Sequence, residues 1–129
     1  MNVSYKIGAG VIVSFLLGVC AANVLYAQAK PLGYIFVEID VKDQDSYKND
    51  FLPKAQALIK ESGGKYLAGG FNKAVGLSGS PPPNRVVLLQ FPDVDAVKAF
   101  YVKESKLEAD IGNKYASFRA VGIEGVEQK

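Results

Sequence analysis

The chain has 129 residues, fifteen Lys or Arg against thirteen Asp or Glu, and no histidine. The missing histidine excludes a Ser-His-Asp triad, a histidine-ligated zinc and a proximal-histidine haem. Basic residues are spread singly among acids, with no Lys/Arg track that could follow a phosphate backbone, so no nucleic-acid partner is expected.

The first 29 residues differ sharply from the rest and carry a single charged side chain, Lys6. Met1 to Lys6 is a short, slightly basic start, Ile7 to Ala22 is an apolar run broken only by Gly and Ser14, and Ala27-Gln28-Ala29 is an A-x-A pattern. That is the layout of a secretory signal peptide over 1–29, cleaved after Ala29. Left uncleaved, Ile7 to Ala27 approaches the ~20 apolar residues of a spanning helix and would anchor the chain in a membrane. Leu17-Gly18-Val19-Cys20 has the outline of a lipoprotein acylation site, but Val19 is larger than such a site takes, and Cys20 reads as an apolar residue of the leader. The expectation is an exported protein, periplasmic or secreted, that meets a membrane only through an uncleaved leader. Its mature part is one domain over 30–129 with net charge +1 and no cysteine. Without disulfides, the hydrophobic core alone must hold that domain.

Gly33 to Val41 predicts the first strand, with Ile35, Val37, Ile39 and Val41 on an aliphatic face and Tyr34, Phe36, Glu38 and Asp40 on the other. The aliphatic face is assigned to the helices. Asp43 to Ser46 supplies a cap and first-turn acids for a helix to about Ser62, whose apolar stripe is Tyr47, Phe51, Ala55, Leu58 and Ile59. Pro53 interrupts it, which predicts a kink or a distinct first turn. Gly63 ends it. Lys65 to Gly70 reads as a strand weakened by glycines, with Phe71 to Leu77 continuing it or forming a bulged edge, and Ser78 to Asn84 is a Pro/Gly-rich loop.

Arg85-Val86-Val87-Leu88-Leu89-Gln90-Phe91 predicts a central strand covered on both faces, which Pro92 terminates. Asp93 caps a helix bearing Val97, Phe100 and Tyr101 on one stripe, and Val102 to Tyr115, with Leu107 and Ile111, predicts a short further helix. Ser117 to Glu124 is the last strand and the tail from Gly125 is loose. The fold class is therefore α+β: a ferredoxin-like β-α-β-β-α-β order, a four-stranded antiparallel sheet with helices on one face, and the first and third strands at its centre. The uncovered face carries Tyr34, Phe36, Val86 and Leu88, so a homodimer through the sheet is expected to bury it.

The same face gathers the candidate ligand-binding residues Tyr34, Phe36, Glu38 and Gln90, where a desolvated Glu38 would serve as a base, unless these groups satisfy one another in the dimer interface. Arg85, at the mouth of the Pro-rich loop, adds a holder for an anion, or else forms a salt bridge or a solvated strand end. Gly63-Gly64 and Gly69-Gly70 lack the spacing of a phosphate loop, and Asp40, Asp43 and Asp45 suit helix capping better than a cation loop. No metal and no cofactor is expected.

Several short stretches resemble a family of small bacterial proteins, domain of unknown function 1330, within the dimeric α+β barrel group. They are Gly33-Tyr34-Ile35-Phe36-Val37-Glu38, Tyr47 with Pro53-Lys54-Ala55, Gly63-Gly64-Lys65-Tyr66, Arg85-Val86-Val87 with Phe91-Pro92, Lys98-Ala99-Phe100-Tyr101, and Phe118-Arg119-Ala120 with Glu124-Gly125-Val126. The resemblance implies a ferredoxin-like protomer that pairs through its sheet as a dimeric α+β barrel, and it implies no activity. Two steps depart from the family's pattern: Lys103-Glu104-Ser105-Lys106-Leu107 lacks a proline and a tyrosine, and Lys114 stands where an arginine is usual. Two functions follow. One is a small-ligand-binding or structural module taking a small apolar or anionic ligand; the other, which the barrel group suggests, is a cofactor-free enzyme of monooxygenase or isomerase type with its site on the sheet face.

Overall fold

The computed structural model describes residues 30–127, so the expected leader, its cleavage point and Cys20 lie outside the described residues. Strand β1 spans Gly33–Val41, and its odd-numbered residues are buried while Tyr34, Phe36 and Glu38 are half-buried on the other face. Helix α1 follows in three segments: one α-turn Gln44–Ser46, a π-helical stretch Tyr47–Phe51 and a regular α-helix Leu52–Glu61. Asp43 caps it by accepting from the Ser46 N–H at 3.1 Å. The π stretch gives physical form to the interruption at Pro53. Pro53 has no N–H for the preceding turn, and the Leu52 N–H reaches back to the Tyr47 carbonyl, which places Pro53 in the first turn of a fresh α segment. Tyr47 and Phe51 both turn fully inward, their rings 5.2 Å apart.

Strand β2 (Lys65–Phe71) pairs with β3 (Arg85–Phe91) antiparallel, with a register shift between Tyr66 and Ala68. The shift puts Tyr66 and Phe71 on the helix side and Ala68 on the outer side, and it ends beside Gly69 and Gly70, both at positive φ. Helix α2 is a single run, Val94–Asp110, capped by Asp93, whose side chain accepts from the Ala96 N–H at 2.7 Å. The expected break after Tyr101 is absent, because the polar stretch from Val102 onward continues the same helical face inward through Glu104 and Glu108. A 3-10 turn Gly112–Lys114 leads into β4 (Ala116–Glu124), and the sheet order is β2-β3-β1-β4.

Both helices pack on one face of this antiparallel sheet, as the alternation in β1 predicts. Ile35, Val37, Ile39, Val87, Leu89 and Phe91 meet Tyr47, Phe51, Ile59, Val97 and Phe100 there. The α+β, ferredoxin-like fold is therefore present. No helix among the described residues is long and apolar enough to cross a membrane.

Candidate functional site

The register divides the expected site residues between the two faces of the sheet. Tyr34 faces Gln90, Phe36 faces Leu88 and Glu38 faces Val86 across β1 and β3, so these share the outer face. Arg85 pairs with Ile39 and lies on the inner face, under the helices. On the outer face Glu38 is engaged by Arg119 of β4, which donates to its Oε2 at 2.7 Å. Phe36 and Glu38 line an open depression of about 290 Å³ there, roofed on one side by Lys73 and Pro82 of the loop between β2 and β3.

The inner face is chemically different. Arg85 is only 7 % exposed, and its Nε has no hydrogen-bond partner. Its position is set at the start of β3: the neighbouring Asn84 side chain clamps the end of β1, accepting from the Val41 N–H at 2.9 Å and donating to the Val41 carbonyl at 2.8 Å. The guanidinium lies 4.9 Å from the ring centre of Phe71 and 6.0 Å from that of Tyr47. No carboxylate among the described residues forms a salt bridge with it.

Two acids of α2, Glu104 and Glu108, 8 % and 7 % exposed, line with Arg85 a cavity of about 30 Å³. Glu108 accepts the Tyr101 hydroxyl at 3.1 and 3.2 Å, whereas Glu104 Oε2 has no partner. Burial, reinforced by the charge of Glu108, pushes the Glu104 carboxyl up to about 7. Burial also raises Glu108, against the Tyr101 hydrogen bond, which lowers it. The phenols around them stay neutral. Burial pushes Tyr47 up to about 12 despite the opposing charge of Arg85, burial with Glu108 does the same to Tyr101, and burial raises Tyr66.

One cavity between sheet and helices thus holds a permanent cation with one unpartnered donor, Nε, a carboxyl pushed up to about 7 with a free oxygen, and three phenols, of which Tyr47 and Tyr66 hydrogen-bond the guanidinium, within walls built from Val37, Ile39, Phe51 and Phe100. It can hold a small anion and exchange a proton with it. Among the described residues no cluster of His, Cys, Asp or Glu could hold a metal ion. Of the expected site residues only Arg85 belongs to this cavity. Tyr47, Tyr66, Tyr101, Glu104 and Glu108 escaped sequence reasoning, although the spacing Val97, Phe100, Tyr101, Glu104, Glu108 continues one helical stripe from apolar residues onto acids.

Comparison with known proteins gives the fold but no ligand. The profile of a family described as a domain of unknown function, DUF1330, matches residues 32–121. A crystal structure of a protein of unknown function from Rhodopseudomonas palustris is similar with a TM-score of 0.56 at 12 % identity, over 84 % of this chain and 93 % of that one. An EthD-like protein from Ralstonia eutropha JMP134 is similar with a TM-score of 0.44 at 18 % identity, over 78 % of this chain and 96 % of that one. No curated protein matches the chain.

Proposed function

The chain belongs to the DUF1330 family, and from that premise we propose that it is an exported, homodimeric small-ligand-binding protein whose ligand occupies the cavity between Arg85 and Glu104. The observation that carries this reading is the pair of free polar atoms, Arg85 Nε and Glu104 Oε2, each on a side chain more than nine-tenths buried and lining the same cavity. Burying a guanidinium without an anion is costly, and a bound anion recovers much of that cost. Export rests on the leader pattern of residues 1–29. The dimer rests on the outer sheet face, where Tyr34, Phe36 and Leu88 stay half-buried and Val121 and Ile123 are 39 % and 49 % exposed.

Native mass spectrometry of the protein isolated from its own producing cell tests the reading. The expected result is a dimer mass carrying a small adduct on the wild type and none on Arg85→Met. A folded dimer of bare polypeptide mass for both would overturn the ligand site.

A second reading, a cofactor-free enzyme of isomerase type, is favoured by one observation, the carboxyl of Glu104 titrating at about 7 beside that cavity. For this reading the site lies under the helices rather than on the outer sheet face. Turnover of a bound acid that is lost in Glu104→Gln while the adduct persists would select it.

A further inference from the structure

We propose that the anion taken by Arg85 is the carboxylate group of a small organic acid, lying in the plane of the guanidinium, with Glu104 as its hydrogen-bond donor, so that the ligand enters together with a proton. This rests on the reading of the cavity as a ligand site and adds the chemical class.

The geometry restricts what can reach Arg85. The Phe71 ring at 4.9 Å and the Tyr47 ring at 6.0 Å lie against the guanidinium, which also hydrogen-bonds the Tyr47 and Tyr66 hydroxyls, so Nε is the donor left without a partner and a ligand reaches it within the guanidinium plane. A carboxylate meets a guanidinium edge with two oxygens in that plane, the arrangement in which Arg binds most strongly. The free volume of about 30 Å³ admits roughly two waters. Two waters are close in size to one carboxylate group, and a tetrahedral phosphate with its four oxygens is larger. Tyr66 lines the cavity and is 42 % exposed, so a short apolar tail leaves on its side.

The proton follows from the acids. A carboxylate brought against Glu104 in an apolar cavity forms a like-charge pair unless one member is protonated, and Arg85 stabilises the charge on the ligand. Glu104 therefore keeps its proton and donates from the oxygen that is now free. The other groups facing it do not replace it. Glu108 on the same helix is engaged by Tyr101, Tyr47 of α1 and Tyr66 of β2 are phenols raised by burial, and Arg85 of β3 remains charged.

Calorimetric titration of the purified dimer with acetate, at a series of pH values and in buffers of different ionisation enthalpy, tests the proposal. The expected result is a constant affinity below the Glu104 transition and a fall of about tenfold per pH unit above it, with uptake of one proton. Glu104→Gln, whose amide donates at every pH, shows no such fall from about pH 5.5 to 8.5. Arg85→Lys, which keeps the charge and loses the fork, weakens acetate at least about tenfold. Absent acetate binding, equal binding of inorganic phosphate, a wild-type affinity independent of pH, or an unaffected Arg85→Lys would each overturn the proposal. If acetate fails while the native mass still shows an adduct that Arg85→Met loses, the ligand class is wrong and the ligand site stands; if both fail, the site falls with it.

Discussion

Arg85 is held by aromatic rings rather than by a carboxylate, and an acid lining the same cavity is the one whose proton is retained to about 7. This has a consequence for stability. Between the usual 4.5 and about 7 the folded chain keeps the Glu104 proton that the unfolded chain has released, so stability falls as pH rises through that window and levels off above it. The penalty above the window is of the order of 3 kcal/mol. Urea unfolding of the wild type and Glu104→Gln as a function of pH measures it by difference, because groups common to both cancel. We expect Glu104→Gln to gain stability over the wild type as pH rises to about 7, and parallel curves would contradict the assignment. The strand that carries Arg85 was legible in the sequence, and a period of two puts Arg85 with Val87 and Leu89 on the helix side, but its burial was not: among the described residues the expected salt bridge or solvated strand end is absent and the side chain is 7 % exposed. Glu104 was not legible either. A helical stripe is read from apolar residues, and an acid that continues it inward looks like the solvent face until packing is known.

Among the elements, the strands and caps follow directly from local chemistry. The alternation in β1, the stop at Pro92 and the caps Asp43 and Asp93 all reappear in the fold. The length of α2 does not, because beyond Tyr101 its buried stripe is continued by two acids, Glu104 and Glu108, in a stretch that is otherwise mostly exposed and polar. Phe100 sits 2 % exposed in this helix, 4.9 Å from the ring of Phe91. Its replacement by Ala should cost about 3 to 5 kcal/mol in denaturant unfolding, and a loss under about 1 kcal/mol would mean the ring is not core. The bulge in β2 depends on glycine in a stricter way. At Gly69 a Cβ would overlap the Val86 carbonyl oxygen, and φ there is +97°. Gly69→Ala should therefore destabilise β2 by more than the ~1 kcal/mol typical of a point substitution, through backbone that cannot move aside. Hydrogen exchange localised to β2 and β3 would register the loss, and unchanged protection would contradict it.

For the whole molecule, the account needs a partner for the outer sheet face. Phe36 is flanked by Leu88 on one side and Val121 on the other, an apolar row across three strands, with the Glu38–Arg119 pair in the next row. A second copy related by a two-fold axis buries such a face with one self-complementary contact. In the proposed homodimer Phe36→Asp would place an unpaired charge in that contact and should split or unfold it. Sedimentation at micromolar concentration reads the outcome, and a well-behaved wild-type monomer would leave the face without a partner.

The central claim is that Arg85 and Glu104 line one cavity that a ligand fills, and a diffraction structure resolving ordered solvent tests it most directly. The account predicts electron density bridging Arg85 Nε and Glu104 Oε2, from a small planar anion or from water standing in its place. A dry cavity, or the two side chains paired directly with each other, would contradict it.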